Sequence, residues 1–369
     1  MRQIAAAASV LALCAGGAFA GGIDRSGQAI GVLFEDGTTV ELSFGQVSPS
    51  ISGTYVGGAA SSGQVGVDYN LTTFGFKHQI NDKLSMALIA DQPFGAAVSY
   101  PSTATFAALA NTNAEFTSQG LTALARYEFS DRLSVHAGIK GQWVEMNVAV
   151  PGGGALAYSA SGARDFEAGY VVGAAYEIPD IALRVALTYS SEVTHSVATT
   201  EASVATGGAD ITSPDTQITL PQSVNLDFQT GIAANTLLFG SVRWVDWSRT
   251  NISPDHYVNT LGQSALLDYD QDRITYTLGV GRKFNENWSG SVSVGHEAQQ
   301  GGTTGNLGPT DGFTSLGVGV SYSSGQHKIS GGLRHVWIGD ATSSGAGGAN
   351  GTFADNSAWA FGMKYSYSF

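Results

Sequence analysis

Phe361-Gly362-Met363-Lys364-Tyr365-Ser366-Tyr367-Ser368-Phe369 ends the chain, and every second residue of it is large and apolar. A period of two belongs to a β-strand with two unlike faces, here aromatic or aliphatic on one side and Gly, Lys or Ser on the other. Upstream, Leu133, Val135, Ala137 and Ile139 alternate in the same way with Ser134, His136 and Lys140. Ile181, Leu183, Val185, Leu187 and Tyr189 repeat the pattern, with Arg184 and Thr188 on the opposite face. A soluble β-sandwich or β-helix would also alternate, but it needs charge to coat its outside. Only 13% of the 369 residues are charged, about half of the roughly 25% usual in soluble domains. The 17 Phe, 14 Tyr and 6 Trp are too many buriable groups for a disordered chain. No stretch of 18 or more apolar residues offers a membrane helix. A chain so poor in charge and without an apolar helix predicts an all-β transmembrane barrel, apolar side chains outward and polar ones inward.

The strand number follows from the punctuation. Six tight polar turns separate alternating runs: Asn81-Asp82, Ser130-Asp131, Pro179-Asp180, Asn235-Thr236, Asn285-Glu286-Asn287 and Ser324-Gly325-Gln326. These residue types supply positive φ or short side-chain-to-backbone bonds, so tight reversals are their natural place. Longer Gly/Ser/Thr/Ala-rich stretches fall between them, at 53–64, 99–113, 151–163, 198–214, 254–268, 302–312 and 341–355. Short turns on one rim and long loops on the other are the pattern of bacterial outer-membrane barrels. Six turns and seven loops join fourteen antiparallel strands, an even number suited to closure, with both termini on the periplasmic side.

The first twenty residues are an address. Arg2 supplies a positive start, Ile4 to Leu13 an apolar core and Ala18-Phe19-Ala20 a small-x-small cleavage site, which together predict a secretory signal peptide over 1–20. Leu11-Ala12-Leu13-Cys14 superficially resembles a lipobox, but Leu13 is too large for the residue before a lipidated cysteine. Cys14 is the only cysteine, so the mature chain has neither disulfides nor thiol chemistry. Loss of Arg2 moves the net charge from −13 to −14, an acidity that excludes nucleic acid as a partner because phosphates would be repelled. The terminal Phe369 after alternating aromatics resembles the signal read by the outer-membrane barrel assembly machinery, and the barrel would sit among outer-membrane lipid and lipopolysaccharide.

Catalytic and metal-binding patterns are absent from the sequence. His78, His136, His195, His256, His296, His327 and His335 are scattered with no HExxH or close ligand cluster, so no metal is expected. Neither a GxSxG elbow nor a GxxxxGK[ST] phosphate cradle occurs. The chain is expected to be no enzyme and to need no cofactor.

The interior is more informative. Projecting the alternation places Arg126, Glu128, Lys140, Arg184, Asn225, Asp227, Gln229, Glu297 and Arg334 inside the barrel. An inward cation in an otherwise apolar cavity can hold a ligand carboxylate by charge-assisted hydrogen bonds; Arg126 and Lys140, on neighbouring strands, are the candidates. Two prolines interrupt strands. Asp91-Gln92-Pro93-Phe94-Gly95 ends the apolar run of the third strand and Leu220-Pro221 interrupts the eighth. Proline gives no ladder hydrogen bond, so each marks a bulge, a strand end or a break in the wall. A gap beside the third strand would let an apolar molecule leave sideways into lipid, where it gains about 0.8 kcal/mol per buried methylene.

Leu220-Pro221-Gln222-Ser223-Val224 followed by Arg243-Trp244-Val245-Asp246-Trp247-Ser248 resembles the LP and WxDWS strands of the FadL/TodX (OMPP1) family of outer-membrane hydrophobic-compound transporters. Pro93-Phe94-Gly95 falls where that family has its kinked third strand, and Glu41-Leu42-Ser43-Phe44-Gly45 through Gly53 looks like its first strand. The resemblance implies a monomeric fourteen-stranded barrel, a lumen plugged by an N-terminal hatch, and passive uptake of long-chain fatty acids or similar hydrophobic molecules. It implies release sideways at the kink, carried onto Asp91, Gln92, Pro93, Phe94 and Gly95. The hatch is carried onto Gly21–Gly37, which includes Arg25, Phe34 and Glu35, is short and lacks the Asn-Pro-Ala hatch motif; the barrel then occupies 38–369. A general porin for polar solutes and a structural or adhesive barrel acting through its outer loops are the alternatives.

Overall fold

A computed structural model describes residues 23–345 and 350–369; the expected signal peptide, residues 1–20, lies outside the described residues. Fourteen strands make the wall. They are β1 (Thr39–Ser50), β2 (Tyr69–Gln79), β3 (Leu84–Asp91 resuming as Gly95–Ser99), β4 (Asn113–Glu128) and β5 (Leu133–Val150). Then come β6 (Tyr158–Ile178), β7 (Leu183–Ser190 resuming as Val193–Ser203), β8 (Ile211–Leu220 resuming as Ser223–Ala233) and β9 (Thr236–Val245). The circuit finishes with β10 (Arg273–Lys283), β11 (Trp288–Glu297), β12 (Phe313–Ser324), β13 (His327–Ile338) and β14 (Ser357–Ser368). Each pairs antiparallel with the next, and β14 returns to β1 from Thr39↔Ser368 to Ser50↔Ser357. Closure removes the unpaired edges that hydrocarbon could not satisfy.

The turns form by the chemistry expected of them. Asn81 Oδ1 accepts from the amides of Lys83 and Leu84, both at 3.0 Å. Ser130 Oγ and Asn285 Oδ1 do the same for the residues that follow them. Asn235 and Gly325 take φ of 57° and 58°, the left-handed region that Asn and Gly tolerate best.

Alternation sorts the side chains as the composition demands. Ile139 is 70% exposed while its neighbour Lys140 is 3% exposed. Leu187, Val292, Val318, Phe361 and Met363 likewise face outward, a density of exposed hydrophobic groups that lipid tolerates and water does not. The inner face is not uniformly polar. Ala87, Ile89, Leu124 and Val171 point inward and bury Ile30, Val32 and Leu33 of the N-terminal segment.

At the long-loop end, Ser52–Tyr55, Ala60–Gln64, Thr303–Gly305, Ala341–Ser344 and Gly351–Phe353 pair into a small sheet of their own. Tyr55 of this sheet and Tyr100 converge on Asn306. The connection between β9 and β10 is tied to β7: Glu201 accepts from the amides of His256 and Tyr257, each at 3.0 Å, and Ser203 meets His256 Nε2 at 2.8 Å. An apolar cluster including Phe94, Val144, Met146, Val197, Leu220 and Trp247 forms between this connection and the wall.

Candidate functional site

Three features converge inside the barrel: the N-terminal segment, the break in β3 and a cavity between them. The segment enters along the kink. The amide of Arg25 donates to Pro93 O at 2.9 Å and the amide of Gly95 donates to Ile23 O at 2.7 Å, so Ile23–Arg25 extends the sheet at the break. Arg25 Nε also donates to Gly95 O at 2.9 Å, and its guanidinium lies 4.1 Å from the centre of the Tyr69 ring. Gly95 leaves room for this contact: a Cβ would stand 2.6 Å from Arg25 Nε and would displace the guanidinium. Burial lowers the Arg25 pKa from its ordinary value.

Further along, Asp24 accepts from Arg243 Nε at 2.5 Å and Nη2 at 3.2 Å. Arg243 also donates to Asn225 Oδ1 at 2.7 Å and to Gln28 Oε1 at 3.3 Å. Bidentate pairing of this kind fixes orientation as well as energy. Phe34 contacts two guanidiniums, those of Arg126 and Arg184, each 4.7 Å from its ring centre. Glu35 is held through its carbonyl, which accepts from Lys77 Nζ at 2.5 Å. Arg25, Phe34 and Glu35 are therefore all contact points with the wall.

Arg126 and Lys140 do not come together. Strand pairing sets Arg126 opposite His136 and Lys140 opposite Thr122, a stagger of four residues or about 13 Å along the strand. Arg126 is committed to Glu177, to Glu128 at 3.4 Å and to Ser134 at 2.9 Å. Lys140 donates to Ser191 O at 2.5 Å, and among the described residues no carboxylate lies within 4.0 Å of its Nζ. A shared clamp of these two cations on one carboxylate is not assembled.

The wall opens at β3. Pairing between β2 and β3 runs from Gln79↔Ser85 only to Phe74↔Ala90. Beyond the break at Gln92, Pro93 and Phe94, the strand pairs with β4 from Gly95↔Thr117 to Ser99↔Asn113, while Ile23–Arg25 in place of β2 bonds its other edge at Pro93 and Gly95. Contact with the β2 side resumes at the Gly66↔Val98 bridge, which leaves a window in the β2–β3 ladder between 67–73 and 91–97, bordered by Ile23–Arg25 and crossed by the Thr72 amide donating to Gln92 Oε1 at 3.2 Å. Asp91, Gln92, Leu71 and Thr72 on its margins also line a cavity of about 1830 Å³ that extends past the N-terminal segment to the short-turn rim. Ser26 Oγ donates to Asp91 Oδ2 at 2.5 Å, fastening the segment to the window's edge.

Sequence reasoning overlooked Asp24, Arg184 and Arg243 as holders of the N-terminal segment. Arg243 had a readable signal: it precedes the outward Trp244 and so points inward. Trp247, from the same motif, is fully buried and packs on Phe94 and Tyr269.

Residues 34–369 match the model of the family described as outer membrane protein transport protein (OMPP1/FadL/TodX). The fold is similar to a Pseudomonas aeruginosa FadL homologue, with 15% identity, a TM-score of 0.75 and 92% of each chain covered. It is also similar to the Pseudomonas putida toluene transporter TodX (13% identity, TM-score 0.65, 92% of this chain and 91% of that one). The Ralstonia pickettii toluene transporter TbuX has 14% identity and a TM-score of 0.64, over 92% of this chain and 91% of its own. None of the curated proteins matches in sequence. With nearly its whole length matched and the same barrel built, the chain belongs to the OMPP1/FadL/TodX family of outer membrane transport proteins.

Proposed function

We propose that the protein is a passive outer-membrane channel for long-chain fatty acids or similar hydrophobic molecules, released sideways near the kinked third strand. The observation that carries this reading is the window between β2 and β3, whose margins line the internal cavity. The window offers a molecule in that cavity a sideways route to lipid, beside the cavity's own opening at the short-turn rim. The apolar side chains that line the cavity, among them Val32, Leu71, Ile89 and Phe228, supply a surface on which such cargo is favourable, at roughly 25 cal/mol per Å² buried.

In this reading Gly21–Gly37 is the hatch, seated by Asp24 on Arg243 and by Phe34 against Arg126 and Arg184. Both termini face the periplasm, and the protein works as a monomer. Of the two basic candidates, Arg126 lines the cavity but already has two acidic partners, whereas Lys140 donates to a backbone carbonyl and lies outside the cavity lining. Detergent-folded protein titrated with oleate, followed by Trp fluorescence, is expected to bind saturably. Neutralising Arg126 and Lys140 together should weaken oleate more than hexadecane. Absence of any saturable oleate signal would count against the fatty-acid assignment.

A further inference from the structure

The window beside β3 has a counterpart. Pairing between β6 and β7 covers Ile178–Val171 against Leu183–Ser190, stops, and resumes at Gly162↔Thr199. Between these limits, residues 163–170 of β6 and 191–198 of β7 have no register partners across the seam. The seam is made as the first window is: a strand breaks, pairing is lost on one side, and pairing returns further along. The break is at Ser191-Glu192, facing the Pro221-Gln222 break of β8, because Ser190↔Ser223 and Val193↔Leu220 flank both. On its other side β6 carries one extra residue against β5, between Val144↔Asp165 and Met146↔Gly162, a bulge that bends a strand out of line.

Side chains replace the missing ladder. The amide of Tyr170 donates to Ser191 Oγ at 3.0 Å, Lys140 Nζ donates to Ser191 O, and His195 Nδ1 meets Asp165 Oδ2 at 2.9 Å across the seam. One backbone bond remains, from the Ser191 amide to Tyr170 O at 3.0 Å. A groove of about 530 Å³ opens at the seam, with Tyr170, Tyr189, Glu192, Gln222, Asp246 and Arg249 among its lining residues. Val197 of β7 belongs to the same apolar cluster as Phe94 of the first window. Both windows also share one hydrogen-bonding row, Asp91↔Gly120, Gly120↔Gln142 and Gln142↔Glu167.

We propose that the seam between β6 and β7 is a second lateral portal, through which an uncharged hydrophobic molecule in the surrounding lipid reaches the apolar cluster inside the barrel. This rests on the channel reading above and adds to it a side entrance. The molecule is uncharged because the groove holds two carboxylates, Glu192 and Asp246, against one cation, Arg249, which lies 3.6 Å from Glu192. That balance disfavours an anionic headgroup, while the two tyrosine rings, 5.9 Å apart, offer an apolar surface.

The test is a reversible lock. A Cβ at Gly169 would lie 2.5 Å from Ser191 Oγ, within the reach of a disulfide, and the only native cysteine is Cys14. Gly169→Cys/Ser191→Cys in a Cys14→Ser background, reconstituted in vesicles, is assayed with naphthalene and with oleate, oxidised and reduced. Oxidation is expected to slow naphthalene entry at least threefold, reductant to restore it, and oleate to change by less than half. Unchanged naphthalene entry with the disulfide formed quantitatively overturns the portal; an equal loss of oleate overturns the charge selectivity. Hydrogen exchange on the unaltered protein covers the case in which the variant does not fold. Segment 163–170 should exchange at least tenfold faster than 171–178, and equal protection of the two overturns the seam. If the unaltered protein admits neither probe, the channel reading itself fails, while the exchange result still decides the seam.

Discussion

The ring of Phe94 meets that of Trp247 edge-on, with centroids 5.6 Å apart and planes at 81°. Phe94 is the residue at which β3 turns away from β2, and Trp247 closes the motif that follows β9. The break in the wall is thus propped by a residue more than 150 positions away, and Ser118 completes the prop by holding both the amide and the carbonyl of Phe94. Phe94→Ala should destabilise the barrel by about 3–5 kcal/mol. A double-mutant cycle with Trp247→Ala should return a coupling of about 0.5–1.5 kcal/mol. Urea unfolding in lipid reads both numbers, and a coupling near zero would separate the motif from the kink.

Pro93 keeps the third strand from reaching β2. Pro93→Val restores a ladder donor and should let pairing extend past Phe74↔Ala90. Fatty-acid uptake by cells carrying this variant is expected to fall several-fold at normal barrel levels. Full uptake would remove the window from the transport route.

Asp24 neutralises Arg243 in a partly buried site. Asp24→Asn removes the carboxylate that is ion-paired with that cation, a change worth about 3–5 kcal/mol where a buried pair is broken. The N-terminal segment should then leave its seat part of the time. Planar-bilayer recordings are expected to show added ionic leak, and a leak equal to that of the unaltered protein would show that the segment does not limit ion flow.

Phe34 meets two like charges, the guanidiniums of Arg126 and Arg184. Phe34→Leu keeps bulk but removes the ring faces that Arg126 and Arg184 lie over, each contact being worth about 0.5–2 kcal/mol. Proteolysis of the N-terminal segment from the short-turn side should accelerate in this variant. A rate identical to that of the unaltered protein would assign the seat to Asp24 alone.

The sequence made the wall legible because its determinants are local. Alternation around Leu133–Lys140, and turn-forming Asn81, Ser130 and Asn285, depend on residues within a few positions of each other, and all recur in the structure. Pro93 and Pro221 announced strand breaks for the same reason. What stayed hidden depends on stagger between strands and on what fills the lumen. Arg126 and Lys140 sit on adjacent strands, yet the register of β4 and β5 holds them four residues apart. The inward Ala87, Ile89, Leu124 and Val171 answer to Ile30, Val32 and Leu33, a partnership no strand pattern contains. The β6–β7 seam escaped notice because an alternating strand looks the same whether or not its neighbour pairs with it.

The most direct measurement is the comparative entry of oleate and arabinose into vesicles containing the purified barrel. A plugged barrel with a side window should speed oleate entry well above that of protein-free vesicles and leave arabinose at their level. Arabinose entering freely and oleate unaccelerated would describe an open porin and contradict the account.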